Sequence, residues 1–548
     1  MTALDYIIVI VFLSGIFATG AYFRRWVGSP DDFFVAGRKI TPFLLASALT
    51  VSNISIYSLI GVSGTASRYG ISIIWQTWTG SMALVFAGLF VLPIMRRLKV
   101  RTVPEFLELR YNGAVRLLIS FLWMFRLAFW IGVMLYAGAV AAHQITGYLS
   151  VEFWILLLAA VIVTYTAAGG MWSLVFTDSL QFLMMMVGLL LLLPLAMHSV
   201  GWWPGLVAKV PPGHLELVSQ FGKYNWEFVI AILLLGIQWA CLDQGLLQHA
   251  FSSQNTAVVS KGLVLSGVMT APFALLWVIP GIASSILHPN LPQPEAAIPS
   301  LIVGLFPAGL LGVFVCGLLA STMSAIAANL SATATLFTND IFARFLKRRS
   351  GERAILIAVR STVVIAGLLM VVLAFQVPRL GGAVDAYLTV ISITDMPLFV
   401  IAIVGGLLWR RATSAGAISG YLAGAAAGVW LKFNLGAGIL TVTLGSAGAA
   451  LAVCVGASLL TRRSHGEGVA AVFAATSMSA EEEHSGASSS MVPQSLGGKV
   501  SLAILAFGFL LFCCGVGLAA TGLAHSSLAA GVGMCIYFAG GLLRTMYR

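Results

Sequence analysis

The chain has 548 residues, of which 59% are hydrophobic and only 9% are charged, and its mean hydropathy is +0.98. Soluble globular proteins carry about 25% charged residues, so this composition excludes a soluble domain and indicates a polytopic membrane protein. The net charge of +11 predicts no nucleic-acid partner, because basic cytoplasmic loops in contact with an anionic lipid bilayer explain it.

Fifteen apolar segments have the length that a helix needs to cross a hydrocarbon core roughly 30 Å thick. The segments are continuous and lack the alternation of barrel strands, so we predict an all-α protein with about fifteen transmembrane helices. In chain order, the predicted spans 1 to 15 are residues 5–23, 41–67, 72–98, 113–146, 151–169, 174–198, 227–250, 258–287, 300–345, 354–377, 383–409, 414–432, 438–461, 500–522 and 528–545.

Lysine and arginine determine the predicted orientation of these spans. They cluster in the loops after spans 1, 3, 9, 11 and 13, whereas the loops on the opposite side are nearly free of arginine. We therefore predict a protein of the cell (inner) membrane, with the amino terminus outside and the carboxyl terminus in the cytoplasm.

Spans 2 and 7 are interrupted near their middle by polar residues and glycines. Residues 50–55 in span 2 read Thr-Val-Ser-Asn-Ile-Ser, and residues 236–245 in span 7 contain Gln238, Asp243 and Gln244. A broken backbone at membrane depth is tolerated only where protein or water covers it, although single polar residues can also simply bond two helices together. Two interrupted helices five spans apart are typical of transporters built from inverted repeats around a midplane site.

This pattern divides the chain into two inverted repeats with additional helices on either side. The predicted parts are 1–40 (first helix and cytoplasmic loop), 41–200 (first repeat, spans 2–6), 201–226 (extracellular loop), 227–411 (second repeat, spans 7–11), 412–463 (accessory helices), 464–499 (linker) and 500–548 (two final helices). The linker contains three consecutive glutamates and a Ser/Gly run, which predicts a disordered cytoplasmic segment.

An ordered series of short motifs gives the chain a family resemblance. Residues 31–38 read Asp-Asp-Phe-Phe-Val-Ala-Gly-Arg and residues 103–107 read Val-Pro-Glu-Phe-Leu; Gly-Gly follows at 169–170 and Asp-Gln at 243–244. From about residue 5 to residue 462, the chain resembles the sodium:solute symporter family, which includes sodium-coupled glucose, proline, pantothenate and sialic acid carriers. The resemblance implies a LeuT-type 5+5 inverted-repeat core in spans 2–11, and cation-coupled symport of a small organic solute by alternating access.

The resemblance also implies a sodium site between spans 2 and 9. Sodium is a hard cation that takes oxygen ligands, and carbonyls and hydroxyls supply them without burying a full charge. The implied residues are the carbonyls of Val51, Ile54 and Ser321, the hydroxyl of Ser324, and Asp178 on the sodium exit route. Family members usually place a second Ser or Thr where this chain has Ala325, which leaves weak sodium binding, proton coupling or no coupling open. Asp178 could equally cap the start of span 6.

The solute site implied by the resemblance lies against the break in span 2 and against spans 3, 4, 7 and 11. The corresponding residues are Asn53, Ser58, Trp75, Gln76, Thr77, Trp239 and Thr389. Sugar carriers of the family use an acidic residue in span 3 and Asn and Tyr in span 7, where this chain has Thr77, Gly236 and Trp239. The hexose pattern is therefore absent, although tryptophan rings could still stack on a sugar.

Arg126 is the most unusual residue, because it lies near the middle of span 4. A guanidinium at that depth costs at least about 2.5 kcal/mol, so it needs a partner. One hypothesis pairs it with Asp395 or Asp178, with Asp243 a further ion-pair candidate. The other hypothesis has Arg126 bind a substrate carboxylate bidentately.

The leading prediction is symport coupled to Na⁺, with no organic cofactor, no other metal and no obligate protein partner. The alternatives are a proton-coupled or uncoupled carrier of an organic carboxylate, and a membrane sensor that keeps the fold without transport. An intramembrane enzyme is disfavoured, because the spans contain neither HExxH nor GxSxG.

Overall fold

The computed structural model describes residues 1–220, 222–289, 291, 296–346, 351–377, 383–461, 467–476, 493, 495–523 and 525–546. The spans are helical throughout this part of the chain. Their bounds are Ala3–Phe23 (span 1), Pro42–Asn53 with Tyr57–Tyr69 (span 2), Ile71–Arg97 (span 3), Gly113–Thr146 (span 4), Val151–Val200 (spans 5 and 6), Trp226–Leu242 with Gln244–Phe251 (span 7), Thr256–Leu287 (span 8), Leu310–Arg344 (span 9), Glu352–Gln376 (span 10), Ala383–Phe399 with Val400–Leu408 (span 11), Ser414–Phe433 (span 12), Ile439–Leu460 (span 13), Leu496–Ala520 (span 14) and Ser526–Met546 (span 15).

Within the described residues, 11 helices are long and apolar enough to cross a membrane, or up to 13 if each bent pair is one span. The helix Val151–Val200 has 50 residues, and a straight helix of that length would be about 75 Å long, far more than one crossing needs. Gly170 breaks it with φ 50° and ψ −143°, and a Cβ there would lie 2.8 Å from Phe33. The break divides this helix into spans 5 and 6, while the total of fifteen stays a prediction.

The predicted interruptions of spans 2 and 7 are confirmed. The two halves of span 2 meet at 50° and the two halves of span 7 at 45°. Ile54 and Ser55 lie outside both halves of span 2, and Asp243 alone separates the halves of span 7. Each break leaves backbone groups at membrane depth without the helical partners they would otherwise have.

Span 9 lies at the centre of the molecule and the later spans lie at its edge. In its most apolar window 89% of span 9 is buried, compared with 83% for span 3 and 28% for spans 10 and 13. Spans 14 and 15 pack on one another and on span 3, where Trp75 contacts the Phe512 ring and Tyr537 donates to the Met82 carbonyl. At the breaks in spans 2 and 7, Ile54 is fully buried and neither Ser55 nor Asp243 is more than 9% exposed, so protein rather than lipid covers them.

Two predicted segments need correction. Span 9 begins at Leu310 rather than 300, because Phe306 precedes a proline and is extended and Gly309 has φ 88°. The linker predicted to be disordered contains the helix Glu467–Thr476, whose Val472 is fully buried. Arg97 donates to the carbonyl of Ala475 at 2.9 Å, which ties this helix to the end of span 3. Residues 462–466, 477–492 and 494 lie outside the described residues.

Candidate functional site

A cavity of about 190 Å³ lies where the breaks of spans 2 and 7 meet. Spans 3, 4, 8, 9 and 11 complete its wall. Its surface combines serine, threonine and amide groups with the rings of Tyr57, Trp130 and Trp239. A largely apolar cavity with a few convergent polar groups is the usual form of a small-molecule site.

Five of the predicted solute residues line this cavity: Asn53, Ser58, Gln76, Thr77 and Trp239. The Gln76 amide donates to the hydroxyl of Tyr57 at 2.7 Å, which fixes the orientation of both side chains. The Nδ2 of Asn53, on a residue that lines the cavity, is buried and has no hydrogen-bond partner among the described residues.

Two predicted solute residues lie elsewhere. Trp75 is fully buried in packing, and its Nε1 donates to the Leu217 carbonyl at 2.6 Å. Thr389 lines a separate pocket of about 330 Å³, beside Glu227 and Lys432 near the starts of spans 7 and 13. Neither side chain is among those lining the central cavity in the described part of the chain.

The cavity also contains residues that sequence reasoning missed. Among them are Ser52, Tyr57, Trp130 and Asn329. Asn329 carried a usable signal, because it follows Ala325 by one helical turn and therefore lies on the same face of span 9. Trp130 gave no such signal, since aromatic residues occur on every face of span 4.

The predicted ion-binding stretches of spans 2 and 9 lie in contact. The hydroxyls of Ser52 and Ser324 are 3.1 Å apart, and Ser324 is fully buried. The first half of span 2 ends at Asn53. The Thr50 carbonyl still accepts the N–H of Ile54, but the carbonyls that follow it lack the N–H groups that would continue the helix. Val51 and Ile54 are in this stretch and both are fully buried. The arrangement brings hydroxyl and main-chain oxygen together at the edge of the cavity.

Ser321 and Ala325 are the other two positions of span 9 considered for the predicted ion site. The Ser321 hydroxyl donates to the Leu318 carbonyl of its own helix at 2.9 Å. Ala325 lines the cavity with a methyl group where the resemblance predicts a second hydroxyl, and its carbonyl accepts from the Asn329 amide at 2.8 Å. Ser324 is therefore the side-chain oxygen of span 9 best placed toward the break in span 2.

Asp178 does not cap a helix. It lies two turns beyond the Gly170 break, fully buried, and its Oδ2 is 3.2 Å from Nε2 of His249. The other ring nitrogen of His249 is 2.9 Å from the Gly245 carbonyl, in the second half of span 7. Asp178 thus links span 6 to one of the two broken helices.

Arg126 pairs with two carboxylates and is not among the residues that line the cavity. Its Nη2 lies 2.9 Å from Asp395 Oδ2 on span 11, and its Nη1 lies 3.6 Å from Asp243 Oδ2 at the break in span 7. The Thr394 hydroxyl donates to the remaining oxygen of Asp395 at 2.8 Å. This geometry supports the ion-pair hypothesis for Arg126, with both candidate carboxylates engaged.

A second charged cluster joins the start of span 4 to the end of span 9. Arg116 contacts both Glu108 and Asp340, and Arg344 donates to Glu108 at 2.7 Å. Burial alone would raise the pKa of the Glu108 carboxyl, but the hydrogen bonds from Arg344 and Arg116 outweigh it and hold that pKa below its ordinary value. The cluster thus fixes the start of span 4 to the end of span 9.

Comparison with known proteins confirms the family that the sequence motifs predicted. The family model described as "Sodium:solute symporter family" matches residues 33–424. A "Sodium/glucose cotransporter" of Vibrio parahaemolyticus is 27% identical over 438 residues, covering 74% of this chain and 80% of that protein. "Sodium/glucose cotransporter 1" of Oryctolagus cuniculus is 26% identical over 477 residues, covering 78% and 71%.

Two solved structures share the fold. A substrate-bound, outward-open Na⁺-coupled sialic acid symporter matches with a TM-score of 0.78 and 18% identity, over 85% of this chain and 99% of its own. Mhp1, a nucleobase-cation-symport-1 family transporter, matches with a TM-score of 0.57 and 17% identity, over 83% and 98%. At these identities the likeness concerns the LeuT-type fold alone.

Proposed function

The chain belongs to the sodium:solute symporter family, whose members carry a small solute across the membrane together with sodium, and on this premise we propose where each is held. The solute occupies the cavity between the breaks of spans 2 and 7. Sodium binds beside it, against the carbonyls of Val51 and Ile54 and the hydroxyl of Ser324. The contact between Ser52 and Ser324 at 3.1 Å carries this proposal, because it places oxygens from both helices at one point.

The solute we propose is a hydroxyl-bearing molecule that carries no carboxylate. Hydroxyl and amide groups dominate the polar lining, and a solute hydroxyl can both accept from Asn53 and donate to a neighbouring oxygen. Trp130 and Trp239 offer faces on which a ring can stack. Two of the relatives are named for glucose, but Thr77 and Gly236 depart from the sugar-carrier pattern, so other polyols belong in the test.

The carboxylate alternative is disfavoured. Arg126, the cation that would bind such a solute, is within 2.9 Å of Asp395 and is absent from the lining, whereas a carboxylate of this protein is present there. A solute carboxylate would therefore meet a like charge before it met the guanidinium.

In the proposed transport cycle, sodium binds between spans 2 and 9. Sodium binding would hold the break of span 2 against span 9, and solute binding would close the cavity from the side of span 7. Opening inward requires the cytoplasmic cluster at Arg116 and Asp340 to part. One charge moving through 100 mV releases about 2.3 kcal/mol, which drives the cycle. The proposal includes the plasma membrane as location, the amino terminus outside, and no catalytic activity.

Uptake into proteoliposomes tests the proposal. Sodium and proton gradients are compared for D-glucose, myo-inositol, L-proline and pantothenate, with liposomes lacking protein as the control. We expect sodium-driven uptake of a polyol. Uptake that follows the proton gradient alone would contradict the sodium site, and sodium-driven uptake of pantothenate alone would contradict the proposed solute.

A further inference from the structure

Asp243 is the only Asp, Glu, Lys or Arg among the residues that line the central cavity in the described part of the chain. It separates the two halves of span 7, and its side chain is 11% exposed. The cavity therefore presents one carboxylate to whatever enters it.

The two oxygens of this carboxylate have different partners. Oδ1 accepts the backbone N–H of Leu246 at 3.2 Å and so caps the helix Gln244–Phe251. Oδ2 lies 3.6 Å from Arg126 Nη1, beyond normal hydrogen-bond length, whereas Arg126 Nη2 is 2.9 Å from Asp395. The guanidinium is thus held by Asp395, and Asp243 Oδ2 has capacity to accept another donor.

The groups around Asp243 also favour a ligand that donates a hydrogen bond to it. One guanidinium faces two carboxylates, so Arg126 can be the full ion-pair partner of only one of them. A Cβ built on Gly245 would lie 3.2 Å from Asp243 Oδ1 and 3.5 Å from Asn329 Oδ1, so both side chains lie beside this glycine. Asn329 uses its amide nitrogen on Ala325, which leaves its oxygen as a second acceptor.

We propose that Asp243 is the specificity-determining residue of the solute cavity. Its Oδ2 accepts a hydrogen bond from a solute hydroxyl or ammonium, and its charge excludes solutes that carry a carboxylate. Arg126 is a positioning residue that holds the cluster in place through Asp395. The inference rests on the proposed function, because it takes this cavity as the solute site.

D-Glucose is compared with two sugars that each differ from it in one group. D-Glucosamine carries an ammonium and D-glucuronate carries a carboxylate. Asp243→Asn keeps the helix cap, since Asn caps as well as Asp, and removes the charge. In sodium-driven uptake we expect the wild type to take up glucose and glucosamine and to exclude glucuronate. In D243N the KM of glucosamine should rise about tenfold, and glucuronate should compete within about threefold of glucose.

Two further variants serve as controls for this test. Glu227→Gln removes one carboxylate outside the cavity and should leave the ranking of the three sugars unchanged. Asp243→Glu keeps the charge and should still exclude glucuronate, which gives a test even if D243N does not fold. An unchanged ranking in folded D243N, or entry of glucuronate in D243E, overturns the inference alone. If the wild type takes up none of the three with sodium, the solute part of the proposed function fails, and the inference fails with it.

Discussion

The breaks of spans 2 and 7 differ in chemistry although their bends are nearly equal, at 50° and 45°. The break in span 2 contains only neutral residues, and no side chain caps the helical segment that follows it. The break in span 7 is a single aspartate whose side chain caps the next half-helix and faces an arginine.

This difference separates two kinds of site. At span 2 the carbonyls that end Pro42–Asn53 remain as acceptors beside Ser324, which suits a small cation. At span 7 the cap already satisfies a backbone N–H, so the remaining carboxylate oxygen can face a ligand in the cavity. On the proposals made above, one repeated geometry would serve an ion site where its residues are neutral and a solute-selecting site where one is charged.

The largest expected effect is a loss of protein stability when the ion pairs at the charged break are disrupted. Arg126→Gln leaves Asp395 buried without its ion-pair partner, which should lower stability by about 3–5 kcal/mol. Thermal unfolding in detergent measures this, with the exposed Arg68→Gln as the control. The double variant R126Q/D395N should recover most of the loss. Wild-type stability in R126Q would contradict the ion pair as the main role of Arg126.

The neutral break should respond to the loss of one hydroxyl. Ser324→Ala should raise the sodium concentration for half-maximal uptake about tenfold, equivalent to ~1.4 kcal/mol, because one sodium ligand is lost. Thr322→Val is the matched control, since the Thr322 hydroxyl donates to the Leu318 carbonyl of its own helix. Equal sodium dependence in S324A and wild type would place the ion elsewhere.

A smaller effect is expected at Asn53, at the end of the first half of span 2. Asn53→Ala removes the amide of a cavity-lining residue whose Nδ2 has no partner among the described residues, so the solute KM should rise about threefold to tenfold. Half-saturation by sodium should change little, and this second readout separates a solute contact from an ion ligand. A shift in sodium dependence alone would assign Asn53 to the ion site instead.

The smallest expected effect is tighter sodium binding when Ala325 is replaced by serine. Ala325→Ser supplies the hydroxyl that family members usually have, on a residue already lining the cavity. The sodium concentration for half-maximal uptake should fall about threefold, or ~0.7 kcal/mol. Ala328→Ser, on a neighbouring cavity-lining residue, is the control. No change in A325S would mean that other oxygens already complete the ion site.

The helices and their interruptions could be predicted from sequence because both are local. Apolar length marks a span, and polar residues at its middle mark a break that protein must cover. The choice between neighbouring side chains was harder. Trp75 and Gln76 are adjacent, yet only Gln76 faces the cavity, because one helical position turns a side chain by about 100°. The linker helix Glu467–Thr476 is stabilised by contacts distant in sequence, so its composition did not reveal it.

By itself, the sequence determined that this protein spans a membrane, that two of its helices are broken, and that Arg126 must have a partner. Those conclusions follow from the high cost of exposing charge or backbone polar groups to lipid, whatever the fold. Only the tertiary structure decided that the partners are Asp395 and Asp243, and that Ser52 meets Ser324. Pairings between distant spans depend on how the helices are rotated and packed against one another, which no local pattern specifies.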